Sequence, residues 1–170
     1  MDYGLLLLRL VVGLLFAAHG SQKAFGWFGG PGMAGATGFV GSLGFRMPRL
    51  WAWQLMLAEL LGGLALAAGF LTPLAALALV IDMIVAIALV KWPNGFFAGN
   101  GGYEFEFVLL AVPVALVATG PGRFSLDRAL DLDDNVRGLS WAAGVLGLAL
   151  VLSFFIITLG RGREAVDVPA

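Results

Sequence analysis

Apolar residues along this chain fall into long runs that are separated by glycine-rich or charged stretches. A helix that crosses a bilayer needs roughly 20 mostly apolar residues, and five runs approach that length. Because backbone polar groups cannot stay unpaired in lipid, the runs predict membrane-spanning helices. The predicted spans are residues 3–21, 50–69, 74–91, 103–119 and 139–159.

Two of the connections between these runs are long. Residues 33–45 place apolar side chains at helical spacing, which predicts a short helix in the membrane interface. Residues 120–138 carry aspartates and arginines and are expected to form a solvated acidic loop. The predicted organisation is a four-helix membrane core at 1–130, an acidic linker at 131–138, an additional membrane helix at 139–160 and a short polar tail at 161–170.

The composition supports a membrane protein. Hydrophobic residues make up 60% of the chain and charged residues only 12%, whereas soluble proteins have about 25% charged residues. The expected fold is therefore an all-α integral membrane protein of the cell membrane, in contact with the lipid bilayer. The net charge of −1 does not favour nucleic acid as a partner. With no cysteine and one histidine, no metal site and no intrinsic cofactor is predicted.

Five spans would place the first and third loops and the C-terminus on one face of the membrane. We call this face B, and the face with the N-terminus face A. Basic residues are more numerous on face B, which by the positive-inside rule predicts a cytoplasmic C-terminus and an outside N-terminus. The basic residues assigned to face B are Lys23, Arg46, Arg49, Lys91, Arg161 and Arg163.

Three ionisable residues fall inside predicted spans. Arg9, Glu59 and Asp82 would each be costly in lipid, so each should face the bundle and find a partner. Helical rise places Glu59 and Asp82 at nearly the same depth, and the long side chain of Arg9 could reach Asp82. Arg9 and Asp82 are thus a predicted intramembrane charge pair. The acids have either a structural role or a role in binding a proton or ligand.

The first span ends at face B with His19 and Lys23, which share a helix face with Arg9. That face is expected to point inward. His19 and Glu59 are candidate catalytic residues because both could move protons, and Lys23 could orient a polar ligand. The alternative is that His19 caps helix carbonyls while Lys23 extends its amine to the interface.

Residues 94–107, NGFFAGNGGYEFEF, join the third and fourth spans on the same face. Turn formation and helix capping explain part of this composition. Together with the residues above, the stretch could instead close an amphipathic pocket at the B-side mouth of the bundle. Such a pocket suits a flat apolar ligand with a polar head, such as a quinone. The candidate ligand-binding residues are Lys23, Asn94, Asn100, Tyr103, Glu104 and Glu106.

Four segments make the chain similar to a known family. In order, they are LLLRLVVGLLFAAHGSQKAFGWFGGPG, AELLGGLALAAGFLTPLAAL, PNGFFAGNGGYEFEF and GPGRFSLDRAL. They resemble the DoxX family of small membrane proteins over about residues 5–130. The matching positions are Arg9, His19, Gly20, Lys23, Glu59, Gly62, Gly63, Asn94, Gly95, Asn100, Gly101, Gly102 and Glu104.

The resemblance implies a four-helix membrane bundle, here with an additional fifth transmembrane helix. The family is named for the small subunit of a terminal quinol oxidase, also described as a component of a thiosulfate:quinone oxidoreductase. Other members are linked to membrane oxidoreductase assemblies. Pro73 and Phe105 depart from the family pattern, which often has a basic residue and a tyrosine there.

Three functions are consistent with the sequence. The first is a component of a quinone-linked oxidoreductase system of the bacterial inner membrane, with electrons supplied by a partner. The second is a non-catalytic accessory or scaffold subunit that docks to other membrane subunits through the fifth helix, where Ala143 and Gly147 give a small-residue edge. The third is a small transporter or proton path that uses Arg9, Asp82 and Glu59.

Overall fold

The computed structural model describes residues 2–133 and 135–162. Within these ranges the regular structure is helical, apart from one isolated β-bridge, which confirms the all-α prediction. The helices, numbered in chain order, are α1 (Asp2–Phe25), α2 (Gly32–Ser42), α3 (Pro48–Ala68), α4 (Thr72–Asn94), α5 (Glu104–Thr119), α6 (Leu126–Ala129) and α7 (Leu139–Gly160).

Four of these helices, α1, α3, α4 and α7, are long and apolar enough to cross a membrane. The predicted span at 103–119 is a helix of 16 residues, α5. At ~1.5 Å per residue, α5 is about 24 Å long, whereas the hydrocarbon core is about 30 Å thick. Left-handed glycines, Gly101 and Gly120, lie on either side of α5 and limit its length. Five membrane spans are therefore not confirmed.

The outer surface of the bundle is apolar. On α1, for example, Leu7, Val11 and Leu14 lie on one side of the helix and are each about half exposed. Large apolar side chains on the outside of helices of this length contact the lipid bilayer.

Helices α1 and α3 approach closely because glycines lie where their backbones meet. A Cβ added to Gly13 would lie 2.6 Å from the carbonyl oxygen of Gly63, and one added to Gly20 would lie 2.4 Å from the backbone nitrogen of Leu60. Small residues at such contacts let two backbones pack together in a membrane. The main core beside this contact consists of Leu5, Val12, Phe16, Leu66, Ala75, Leu79, Met83, Leu109 and Leu116.

The additional C-terminal helix is present as α7 and packs along α4 and α5. Its buried side is formed by Ala142, Val145, Ala149 and Ser153, while Ala143 and Gly147 are exposed. At its C-terminal end, α7 is joined to the loop between α2 and α3. The Arg46 N–H donates to the Gly160 carbonyl and the Gly162 N–H donates to the Gly44 carbonyl, both at 2.9 Å.

The segment between α5 and α7 is only in part the solvated loop that we predicted, because Arg123, Arg128, Asp131 and Arg137 are exposed whereas two of its aspartates are buried. Asp127, at the start of α6, is buried and accepts hydrogen bonds from the N–H groups of Leu71 and Thr72 at 2.6 and 2.9 Å. It therefore satisfies free N–H groups at the start of α4. Asp133 is also buried and binds Arg137 at 3.2 Å. These acids hold face A together instead of facing water.

The predicted helix at 33–45 is found as α2, where Ala36 and Val40 are buried against Phe45 and Ala52. The predicted division at 130, 138 and 160 stays a prediction. Most of the predicted tail, residues 163–170, lies outside the described residues.

Candidate functional site

A cavity of about 200 Å³ lies towards face B, between α2, α3, α4 and the end of α7. Its walls are mainly apolar and include polar side chains from three helices. The lining residues are Lys23, Phe39, Val40, Leu43, Phe45, Trp51, Gln54, Leu55, Glu59, Asp82, Met83, Val85, Ala86, Val90, Lys91 and Ile156.

Lys23 and Glu59 form an ion pair at the wall of this cavity. The Lys23 Nζ lies 2.5 Å from the Glu59 Oε2, and Nζ also lies 3.4 Å from the backbone carbonyl oxygen of His19. The Glu59 side chain is buried, with 7% of its area exposed, whereas that of Lys23 is 19% exposed. Lys23 is therefore the member of the pair that is more accessible.

Glu59 lies in a π-helical turn, Ala58–Gly62, within α3. A second π-helical turn, Ile87–Lys91, lies near the C-terminal end of α4. A π turn inserts an extra residue and changes the face on which the following side chains lie, and such turns are frequent at functional sites. Both turns supply cavity residues, Glu59 from the first and Lys91 from the second.

His19 is half-buried one turn before Lys23, and its charge would act on Glu59. Its ring makes no hydrogen bond to the described residues. His19 is not among the residues that line the cavity. The structure thus brings His19, Lys23 and Glu59 to one region, with Lys23 and Glu59 in direct contact.

Asp82 does not pair with Arg9 as the sequence predicted. Its Oδ1 accepts a hydrogen bond from Gln54 Nε2 at 3.2 Å, and both side chains line the cavity. Asp82 Oδ2 is buried and has no hydrogen-bond partner among residues 2–133 and 135–162. Asp82 therefore belongs to the cavity region.

Arg9 is fully buried towards face A, where it supports the segment before α6. Its Nη2 donates to the Phe124 carbonyl oxygen at 2.5 Å, and the charge of Asp127 acts on it. The guanidinium packs on Gly69, where an added Cβ would overlap Nη1. Because Arg9 and Asp82 have different partners, the structure does not support a transport path that needs them together.

Residues 94–103 form a loop that is held mainly by its own contacts. Asn94 Nδ2 donates to the Gly101 carbonyl at 3.2 Å, and Glu104 Oε2 accepts from the Ala98 N–H at 2.9 Å. Asn94 and Asn100 are exposed, and the Tyr103 ring stacks on that of Trp92 with 5.5 Å between centroids. None of the predicted ligand-binding residues Asn94, Asn100, Tyr103 and Glu104 lines the cavity.

Glu106 is closer to the site than the rest of that stretch. Its Oε1 lies 3.6 Å from Nζ of Lys91, which lines the cavity. Its Oε2 is buried without a hydrogen-bond partner in the part of the chain that the structure describes. Glu106 thus contacts a cavity residue, Lys91, but does not itself line the cavity.

The sequence analysis missed two polar cavity residues, Gln54 and Trp51. Trp51 Nε1 is buried and has no partner among the described residues. A signal for Gln54 was present, because an amide inside an apolar span needs a hydrogen-bond partner just as a charge does. We considered only ionisable residues within the spans. Trp51 lies near the end of its span, where tryptophan is common at the membrane interface, so its position gave no signal for a cavity residue.

The chain matches one family profile and is similar to two bacterial proteins. The DoxX family profile matches residues 4–92. The chain is 32% identical over 126 residues to a Bacillus subtilis (strain 168) protein named "Putative oxidoreductase CatD", covering 74% of this chain and 86% of that protein. It is 34% identical over 133 residues to "Uncharacterized membrane protein Rv3486" of Mycobacterium tuberculosis (strain ATCC 25618 / H37Rv), covering 72% of this chain and 78% of that protein. No solved structure matches.

The family match covers more than half of the chain and includes α1, α3, α4 and most of the cavity lining. The chain belongs to the DoxX family of membrane proteins.

Proposed function

We propose that this protein is a membrane component of a quinone-linked oxidoreductase system and binds a quinone-like ligand in the cavity near face B. The observation that carries the proposal is the placement of the Lys23–Glu59 ion pair in the wall of a mainly apolar cavity. Ligand sites of this kind combine apolar walls with a few polar groups that fix orientation. The name of the Bacillus relative, an oxidoreductase, is consistent with this proposal.

Each polar residue has a role in the proposal. Lys23 donates a hydrogen bond to an oxygen of the ligand's head group, and the ammonium stays paired with Glu59. Glu59 and His19 take up or supply the protons that the ligand loses or gains at that oxygen. Phe45 and Trp51, whose ring centroids are 5.6 Å apart, provide an aromatic wall for the ligand's ring. Electrons would pass between the ligand and a partner subunit.

The size of the cavity limits which part of the ligand it holds. Its volume of about 200 Å³ is smaller than the roughly 300–1,000 Å³ of pockets that enclose a whole drug-sized ligand. A single ring with its oxygens is the part that fits, and an isoprenoid tail would extend into lipid. Phe39, on α2, lines the cavity and is half exposed, so it lies where a tail would leave.

The proposed topology has five crossings with α5 as a short span. The Glu104 N–H donates to the Phe96 carbonyl after α4, at 2.8 Å. At the other end of α5, the Val117 carbonyl accepts from the Gly138 N–H before α7, at 3.2 Å. With this path, α7 runs from face A to face B. The N-terminus would then be outside and the C-terminus cytoplasmic.

An accessory role is the second candidate, and the outer face of α7 favours it. Ala143 and Gly147 are exposed, and a Cβ added to Gly147 would meet no atom within 4 Å. Exposed small residues on a membrane helix permit close packing by another helix. In this alternative the protein binds a partner subunit through α7 and has no ligand in the cavity.

The test is to purify the protein in mild detergent from a quinone-producing host and to examine it by native mass spectrometry with lipid extraction. We expect wild-type protein to retain a quinone and Glu59→Gln to lose it. Thr119→Val is the matched control, because Thr119 is exposed and bonds only within α5 and to Gly120. A protein that carries only phospholipid, with a stoichiometric partner subunit, would contradict the proposal and favour the accessory role.

A further inference from the structure

The cavity contains two polar positions, each of which includes a residue of α3, and the charges of the first position act on Asp82 in the second. Lys23 of α1 binds Glu59, and Asp82 of α4 accepts from Gln54. All four side chains line the same cavity. At the first position, Lys23 and Glu59 pair with each other at 2.5 Å. At the second position, one carboxyl oxygen of Asp82 has no hydrogen-bond partner among the described residues.

Asp82 lacks a partner on one oxygen. Gln54 uses its amide to fix Oδ1, and Oδ2 stays buried without a hydrogen bond among the described residues. The lysines that line the cavity do not supply the missing contact, since Lys23 pairs with Glu59 and Lys91 with Glu106. A buried carboxyl oxygen normally has a hydrogen-bond partner, so an oxygen without one in a cavity wall is a position for a ligand group.

Trp51 adds a second incomplete group to the same cavity. Its buried Nε1–H has no acceptor among residues 2–133 and 135–162. An indole N–H can only donate, whereas a carboxyl group accepts when ionised and donates when protonated. A phenolic hydroxyl, which both accepts and donates, has the chemistry that each of these two side chains lacks.

We propose that Asp82 is a second ligand-binding residue, positioned by Gln54, and that the cavity selects a ligand with two oxygens on one ring. One oxygen binds at Lys23 and the other at Asp82. This inference rests on the proposed function and narrows its substrate class to compounds with two oxygens on one ring, the quinols and quinones. An alkylphenol or a fatty alcohol offers one oxygen only and leaves Asp82 Oδ2 unpaired.

The test compares two probes with the wild-type protein in lipid nanodiscs. One probe is an alkyl-substituted benzoquinol, kept reduced under anaerobic conditions, and the other is the alkylphenol that lacks its second hydroxyl group. Their tails are identical, but the second hydroxyl makes the benzoquinol less lipophilic, so each affinity is referred to the concentration of probe in the lipid, measured with empty nanodiscs. Wild-type protein should bind the benzoquinol roughly tenfold more tightly, the usual effect of one hydrogen bond to a charged or strongly polar group.

Asp82→Asn and Gln54→Leu distinguish a binding role from a structural one. If Asp82 binds the second hydroxyl, both variants should lose affinity for the benzoquinol and keep their affinity for the alkylphenol. If Asp82 has only a structural role, both variants should lose affinity for the two probes to the same extent. Thr158→Val, which alters an exposed hydroxyl on α7, is the control and should keep the preference.

The possible results separate this inference from the proposed function. If wild-type protein binds both probes equally, or if Asp82→Asn keeps the preference, the role of Asp82 is wrong while a quinone site at Lys23 stands. If wild-type protein binds neither probe above the level of empty nanodiscs, both proposals are wrong. If Asp82→Asn does not fold, the preference for the benzoquinol over the alkylphenol is measured with Gln54→Leu instead.

Discussion

Lys23 and Glu59 form a 2.5 Å ion pair that joins α1 to α3 at the wall of the cavity. The pair lies beyond the close contact between the two helices at Gly20 and Leu60, which holds their backbones together. Glu59 is buried and Lys23 is partly accessible. The same contact therefore ties two membrane helices and presents a cation to the cavity.

Replacing one member of this pair should destabilise the bundle. Lys23→Met leaves Glu59 buried without its cation, and we expect a loss of about 3 kcal/mol in the free energy of unfolding. Adding Glu59→Gln removes the stranded charge and should restore part of that loss. Thermal unfolding in detergent, followed by circular dichroism, measures both effects. If the double variant is less stable than Lys23→Met, the unpaired charge of Glu59 is not the cause of the destabilisation.

Asp127 should be a major determinant of stability at face A. Its carboxylate accepts from the N–H groups of Leu71 and Thr72 and from the Thr72 hydroxyl, which is 2.6 Å from Oδ2. Asp127→Ala removes these bonds and leaves N–H groups at the start of α4 unpaired. The expected cost is about 2 kcal/mol. Thr72→Val removes only the hydrogen bond of the hydroxyl and should lower the free energy of unfolding by less. An equal loss in the two variants would contradict the role assigned to Asp127.

Gly69 should not tolerate a side chain. Its φ of +64° is unfavourable for other residues, and an added Cβ would overlap the buried guanidinium of Arg9. Gly69→Ala should therefore lower the yield and the melting temperature of the purified protein. The control is Gly144→Ala on α7, where no atom lies within 4 Å of the new Cβ. That change should be neutral or stabilise the helix by up to about 1 kcal/mol.

The C-terminal end of α7 should affect ligand binding, although it lies outside the family match. A Cβ on Gly160 would lie 2.9 Å from ring carbons of Phe45 and 3.2 Å from Cε2 of Trp51. Both aromatic rings line the cavity. Gly160→Val should shift them and weaken binding of an alkylbenzoquinone by up to roughly tenfold in an equilibrium binding measurement.

Gly147→Val is the control for this change, because it lies on the open side of α7. It should leave ligand affinity unchanged. Equal affinities for the two variants would mean that the end of α7 does not shape the cavity.

The helices and one half of the site could be predicted because both depend on local periodicity. Runs of apolar residues located α1, α3, α4 and α7, and helical phase placed Lys23 on the inward-facing side of α1, where the structure shows it bound to Glu59. Depth along a helix is set by a fixed rise per residue, so the similar depth of Glu59 and Asp82, which both line the cavity, could be predicted without a structure.

The errors concern contacts that helical periodicity does not encode. Arg9 binds the carbonyl of Phe124, 115 residues away, because the segment before α6 folds back over face A. Arg9 therefore does not pair with Asp82, which accepts a hydrogen bond from Gln54 instead. The residues between α4 and α5 were assigned to the correct face, but membership of a face does not determine which loop closes a cavity. Asn94 and Glu104 bind within their own loop.

The most direct test of the quinone site is photolabelling with an azido-substituted benzoquinone in lipid nanodiscs, followed by peptide mapping. We predict labels on cavity residues of α3 and α4, between Trp51 and Glu59 and between Asp82 and Lys91. Excess unlabelled quinone should displace them, and Glu59→Gln should reduce them. Labels confined to lipid-facing residues such as Leu150 or Phe154, with no displacement by unlabelled quinone, would contradict a quinone site in this cavity.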